Sequence, residues 1–173
     1  MGGMATEAAV AGDGQEYAVH SGGQDLLVSW HPPAAAPDGR RHGAEGVCVD
    51  GAGQVVLVSP DGVGWTFPAG RPEDAETWEE TLRREVREEA CATIVRARLL
   101  GFSRGACIAG PEQGPGPGAL DLAGRGRACR VGPQFEMSHR RVVAPTDLSE
   151  VLALGTHPFA PIVRRTLREA DLT

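Results

Sequence analysis

Three carboxylates crowd the segment GRPEDAETWEETLRREVREEACA, residues 70–92. The segment reads as a helix from about Glu73 to Ala90, and on it Glu85, Glu88 and Glu89 share one strip, because residues three and four apart are surface neighbours. Like charges at that spacing cost roughly 0.2–0.5 kcal/mol each in an isolated helix. A cation should offset that cost. Trp78, Leu82 and Val86 define the apolar strip with Glu85 and Glu89 at its edge, whereas Arg83 and Arg87 point nearly the opposite way. Arg84 lies one turn from Glu88 and can pair with it or with an acid outside the helix. Half-buried carboxylates left over favour a hard divalent cation with oxygen ligands, Mg²⁺ or Mn²⁺. A solvated, salt-bridged face is the usual fate of such a run, and helix chemistry alone leaves both readings open.

The spacing adds a second kind of information. Gly70, Glu76, Arg84, Glu85, Val86, Glu88 and Glu89 fall in the order and at the intervals of the Nudix box, so the stretch resembles that of the Nudix (MutT-like) hydrolases. Cys91 stands where the box has its second Gly, and Ala92 is a weak match to its closing aliphatic. A Gly there would end the helix in a left-handed conformation that a residue with a Cβ adopts only at a cost. The loop after the helix is therefore expected to be shaped differently here.

The resemblance implies a hydrolase that cleaves a nucleoside diphosphate linked to another moiety, with Mg²⁺ or Mn²⁺ as cofactor. Diphosphates are crowded with negative charge, which a divalent cation neutralises while lowering the pKa of an attacking water. By position, Glu88 and Glu89 correspond to the principal metal ligands, Glu85 to a further ligand or water-orienting base, and the Ala69 carbonyl to a backbone ligand. Glu76 and Arg84 correspond to a structural pair, Arg84 also steadying the glutamates. The family places a further base outside the box at varying positions; Glu136 is the first choice here and Glu112 the second, each also readable as a plain surface acid. The marks of enzymes for dinucleoside polyphosphates, ADP-ribose and coenzyme A are absent near Cys107 and upstream of the box, which leaves the substrate open.

The elements that would hold this helix follow from periodicity. Glu16 to His20 and Asp25 to Trp30 read as paired strands across SGGQ, and His31 to His42 as a Pro-rich surface connection. Glu45 to Val49, Gln54 to Ser59 and Gly64 to Phe67 are further strands; Val55 to Val58 is apolar throughout, as expected where both faces are covered. Downstream, Thr93 to Phe102, Arg127 to Val131 and Glu136 to Val143 read as strands, and Asp147 to Leu154 and Phe159 to Leu172 as helices. This order predicts an α/β sandwich with a mixed β-sheet, and the resemblance implies the same α/β/α arrangement.

Residues 1–15 are expected to be a disordered tail and 16–173 a single domain, with 106–127 a flexible Gly/Pro-rich loop. Arg104, Arg125, Arg127 and Arg130 surround that loop and could reach phosphate oxygens or be ordinary solvated charges. Trp65 and Phe67 could stack a base, core packing being the plainer reading.

Composition sets outer bounds. A net charge of −6 argues against a nucleic-acid backbone as partner. All 17 basic residues are Arg, a bias expected of a GC-rich and so of a bacterial genome. Four scattered cysteines, Cys48, Cys91, Cys107 and Cys129, point to reduced thiols in a cytoplasmic protein. No apolar run reaches membrane-helix length. A nucleotide-sensing module that binds without cleaving is the alternative class, and the intact Glu85, Glu88 and Glu89 argue against it. Homodimerisation, common in the resembled family, is left open by the sequence.

Overall fold

Side chains alternate across a strand, so an apolar run of four must serve two cores. The strand formed by Val55–Ser59 is buried along its whole length. Val55 and Leu57 join one cluster with Trp30, Leu148, Ile162 and Leu167. Val56 and Val58 join another with Leu82, Val86 and Ala90. The two clusters are the two interfaces of a three-layer α/β/α sandwich.

The computed structural model describes residues 9–109, 118–123 and 137–173. Its elements are β1 (Glu16–Ser21), β2 (Gln24–His31), β3 (Arg40–Glu45), β4 (Cys48–Val49), β5 (Val55–Ser59), β6 (Ala69–Gly70), α1 (Trp78–Ala90), β7 (Leu99–Ala109), β8 (Gly118–Ala123), β9 (His139–Val143), α2 (Leu148–Val151) and α3 (Ala160–Glu169). Among the described residues, six strands form one sheet in the order β1-β2-β7-β8-β3-β6, and three form another, β4-β5-β9. The β3–β8 pair is parallel and the others antiparallel, so the larger sheet is mixed as expected. Helix α1 packs on β3, β5 and β6, and α3 on β2 and β7.

Several boundaries differ from the sequence reading. Helix α1 starts at Trp78 rather than Glu73, because Thr77 caps it: the Glu80 N–H donates to Thr77 Oγ1, and the Thr77 N–H donates to Glu80 Oε2 at 2.8 Å. Glu76 is thereby left in the loop before the helix. The strand after the box begins at Leu99, since Ala92 and Ile94 are first drawn into the core beneath α1. The expected strand Glu45–Val49 is broken at Gly46, whose missing side chain leaves room for Leu82. Between Gly64 and Phe67 there is only a bridge from Thr66 to Val58.

Two larger corrections concern segments expected to be loose. Within 106–127, residues 106–109 complete β7 and Gly118–Ala123 forms β8, paired with both β7 and β3. Pairing on both edges explains why a Gly-containing segment of low β-propensity still becomes a strand. The rest of that stretch and the expected strand 127–131 lie outside the described residues. At the other end, Ala9–Gln15 docks on the domain rather than trailing from it. Ala11 is 2% exposed, its N–H donates to the Pro161 carbonyl at 3.0 Å, and Asp13 pairs with Arg165 at 2.7 Å. Small residues, uninformative in sequence, are what such close docking requires. Replacing Ala11 with Arg should therefore cost about 1–3 kcal/mol by overpacking, measured by urea denaturation; an unchanged midpoint would return the segment to a loose tail.

Candidate active site

The carboxylates are arranged by one guanidinium. All five N–H groups of an Arg side chain can donate, and Arg84 places its own on four residues. Its Nε donates to Glu76 Oε1 at 3.1 Å, and its Nη2 to Glu76 Oε2 at 3.1 Å and to the Arg71 carbonyl at 2.7 Å. Its Nη1 donates to Glu85 Oε1 at 2.8 Å and Glu88 Oε2 at 3.0 Å. The Arg84 side chain is only 16% exposed, so these contacts are partly shielded from water. Arg83 turns away as the helical wheel predicts, binding Glu79 and the Ile94 carbonyl.

The helix is held at both ends. At its C-terminus Arg140 from β9 donates to the Ala90 carbonyl at 3.0 Å. Cys91 takes the left-handed conformation, φ 49° and ψ 42°, so the expectation of a differently shaped loop is corrected. The Cys91 N–H and the Ala92 N–H both donate to the Val86 carbonyl, the latter at 3.2 Å, which closes the end of the helix. Those bonds, with Cys91, Ala92 and Ile94 all buried, outweigh a strain of about 1–2 kcal/mol.

Glu85 and Glu89 are buried, at 7% and 6% exposure, and meet the turn carrying Ala69 and Gly70. The Ala69 N–H donates to Glu89 Oε2 at 2.9 Å. A Cβ on Gly70 would lie 1.7 Å from Glu85 Oε1, so only glycine lets the turn approach that carboxylate. A further acid, missed in the sequence reading, stands beside them. Glu45 at the end of β3 is paired in register with Ala69, and it helps wall a cleft of about 170 Å³ with His42, Gly43, Gly70 and Arg71. No spacing rule could find Glu45, which comes from a different strand.

The electrostatics follow from these contacts. Arg84 above all, then the Glu73 N–H, hold the Glu76 carboxyl down at about 2. Burial first, and then the charge of Glu89, push Glu45 up to about 7. Burial and the neighbouring Arg71 push the His42 imidazole below its usual range. The Arg84 guanidinium is raised, chiefly by Glu76.

The other expected site residues are placed differently. Trp65 packs against the first core with Arg141 over its ring at 5.9 Å, as the core-packing reading anticipates. Arg104 lies on β7 with Glu16 at 3.8 Å. Glu112, Arg125, Arg127, Arg130 and Glu136 lie outside the described residues.

The acids around Ala69–Gly70 offer oxygen ligands alone, which fits a hard divalent cation. Among the described residues no group of three or more His, Cys, Asp or Glu is already spaced to hold one. Glu85 and Glu88 are instead turned toward Arg84.

The NUDIX domain family model matches residues 39–113, which contain the box, Glu45 and the cleft. Residues 39–113 thus match the NUDIX domain in sequence. In fold it is similar to a pyrophosphohydrolase of Bacillus subtilis, with a TM-score of 0.69 and 17% identity over 91% of this chain and 96% of that one. A Nudix hydrolase from Nitrosomonas europaea gives a TM-score of 0.56 at 17% identity, covering 76% and 89% of the two chains. A structure from work on MutT of Aliivibrio salmonicida and Vibrio cholerae gives 0.50 at 16% identity, over 75% and 97%. None of the curated proteins matches the chain in sequence. Among the described residues no helix is long and apolar enough to cross a membrane.

Two tests follow from this geometry. Gly70→Ala should displace the Glu85 carboxylate, the movable end of a side chain, and so lose turnover with little loss of stability. Unchanged turnover, assayed beside a thermal melt, would deny the close approach. The second test concerns pH. Glu76, lowered to about 2, contributes stability present above its ordinary 4.5 and lost as pH falls toward 2. Glu45, raised to about 7, acts in the opposite sense, its contribution being present below 4.5 and lost as pH rises through 7. In metal-free protein, Glu45→Gln should therefore flatten the decline of the urea midpoint between pH 4.5 and 7; an unchanged slope would mean Glu45 is not enclosed.

Proposed function

We propose that this chain is a divalent-metal-dependent hydrolase that cleaves the diphosphate linkage of a nucleoside diphosphate joined to another moiety. One observation carries the reading: Arg84 gathers Glu76, Glu85 and Glu88 beside the Ala69–Gly70 turn, to which Glu89 is already bound. A solvated salt-bridged helix would not bury Glu85 and Glu89 against a turn that only glycine permits.

Glu85, Glu88 and Glu89 would hold Mg²⁺ or Mn²⁺, with the Ala69 carbonyl as a backbone ligand. When bound, the cation would supply neutralisation of the diphosphate charge and a lowered pKa for water. The chain's own residues do the positioning. Arg84 orients the carboxylates, Glu76 anchors Arg84, and Glu89 ties the helix to the turn. Glu85 is the acid suited to orient water or accept its proton, with Glu136 retained as the proposed base outside the box. Arg104, Arg127 and Arg130 remain proposed substrate contacts, while Trp65 serves core packing. A reducing, cytoplasmic setting accords with the thiols of Cys48 and Cys107. The partner is a small molecule, with neither nucleic acid nor membrane required, and a homodimer is compatible with the site.

The test is release of phosphate-containing product from nucleoside triphosphates, nucleotide sugars, ADP-ribose and dinucleoside polyphosphates, with Mg²⁺, Mn²⁺ or a chelator. Metal-dependent cleavage of one class is expected. Glu89→Gln should lower turnover by about 100-fold or more, beyond what loss of an outer supporting residue costs, while keeping an amide oxygen for the Ala69 N–H and hence the fold. Failure to cut any substrate, with one of them raising the melting temperature, would replace the hydrolase by a sensing module.

A further inference from the structure

The cleft beside the carboxylates has two ends of opposite character. Glu45, Ala69 and Gly70 form the end next to Glu85 and Glu89, and His42 and Arg71 form the other. His42 is there because β3 is irregular. The β3–β8 register runs from Arg41–Ala119 directly to Gly43–Leu120, leaving His42 as the extra residue. Such bulges re-aim a side chain. Gly43 sits so close to the next strand that a Cβ would lie 2.7 Å from the Gly70 carbonyl, which holds this wall against β6.

Arg71 is positioned by its backbone and not consumed by its side chain. Its carbonyl accepts from Arg84 Nη2 at 2.7 Å, so the residue that gathers the acids also sets the place of Arg71. Among the described residues no carboxylate pairs with the Arg71 guanidinium, in contrast to Arg83, Arg84 and Arg165. His42 lines the same end of the cleft, its imidazole pushed toward the neutral form by burial and then by the Arg71 charge.

Size then restricts the occupant. Pockets that enclose a whole drug-sized ligand span about 300–1,000 Å³, and this cleft is about 170 Å³. It suits a group of a few heavy atoms that is anionic at the Arg71 end. Arg forks match phosphate oxygens in pairs, and a His ring N–H can donate to a third. We propose that Arg71 and His42 form a subsite for the unesterified terminal phosphate of the substrate, selecting nucleoside triphosphate-type substrates over those whose outer phosphate carries a sugar or second nucleoside. This deepens, and for its substrate preference rests on, the hydrolase reading above.

The test compares wild type with Arg71→Ala, Arg71→Lys and His42→Gln. With Mg²⁺, the ratio of kcat/KM for a nucleoside triphosphate to that for ADP-ribose should fall about tenfold in Arg71→Ala, through KM. It should recover in part in Arg71→Lys, while thermal melts stay superimposable. An unchanged ratio overturns the selectivity. Independently of turnover, inorganic pyrophosphate with Mg²⁺ should bind wild type about tenfold more tightly than Arg71→Ala by titration calorimetry. Equal or absent binding overturns the subsite. If wild type cuts no substrate yet pyrophosphate still distinguishes the two proteins, the hydrolase reading fails and the anion subsite stands.

Discussion

A single half-buried guanidinium is the constraint on which the rest of this site depends. Arg84 is on the same helix as Glu85 and Glu88, which alone would hold it only along the helix surface. Glu76 and the Arg71 carbonyl pull it toward the loop before the helix instead. The loop, the helix and the carboxylates thus become one unit. Charge balance requires it: acids this crowded and this shielded from water repel one another unless a cation sits among them. Arg suits the role because its planar fork serves several oxygens at once, which a Lys ammonium cannot do with the same geometry.

The fold supplies what that unit lacks. Capping by Thr77 ends the helix where Glu76 is free to reach back. Arg140 and the left-handed Cys91 terminate it at the other side. The two faces of β5 bind α1 to one core and α2 and α3 to the other, so the site rides on the best-packed strand of the domain. The turn at Ala69–Gly70 is then pressed against Glu85 and Glu89 by packing that lies outside the site.

Local chemistry was legible wherever one element carried it. The strip of Glu85, Glu88 and Glu89, the turning away of Arg83 and the two-sided burial of Val55–Val58 all follow from periodicity along a helix or strand. Burial against neighbours was not legible in the same way. Ala9–Gln15 and Gly118–Ala123 have the composition of loose chain, yet each is ordered by partners distant in sequence. Propensity is a weak prior exactly where such contacts decide, and the left-handed Cys91 is a further instance.

What the sequence by itself determined is the acid-rich helix, the sandwich built to hold it and the family that the segment around it resembles. Those rest on spacing within single elements, and spacing is what a sequence records. Only the tertiary structure decided that Glu45 and His42 of β3 meet Gly70 of the neighbouring strand and Arg71 just after it, with an acid at one end of the cleft and an arginine at the other. Strand pairing joins residues far apart in the chain, and a one-residue bulge can re-aim a side chain. No linear pattern encodes that meeting, because its geometry is set by how the sheet packs.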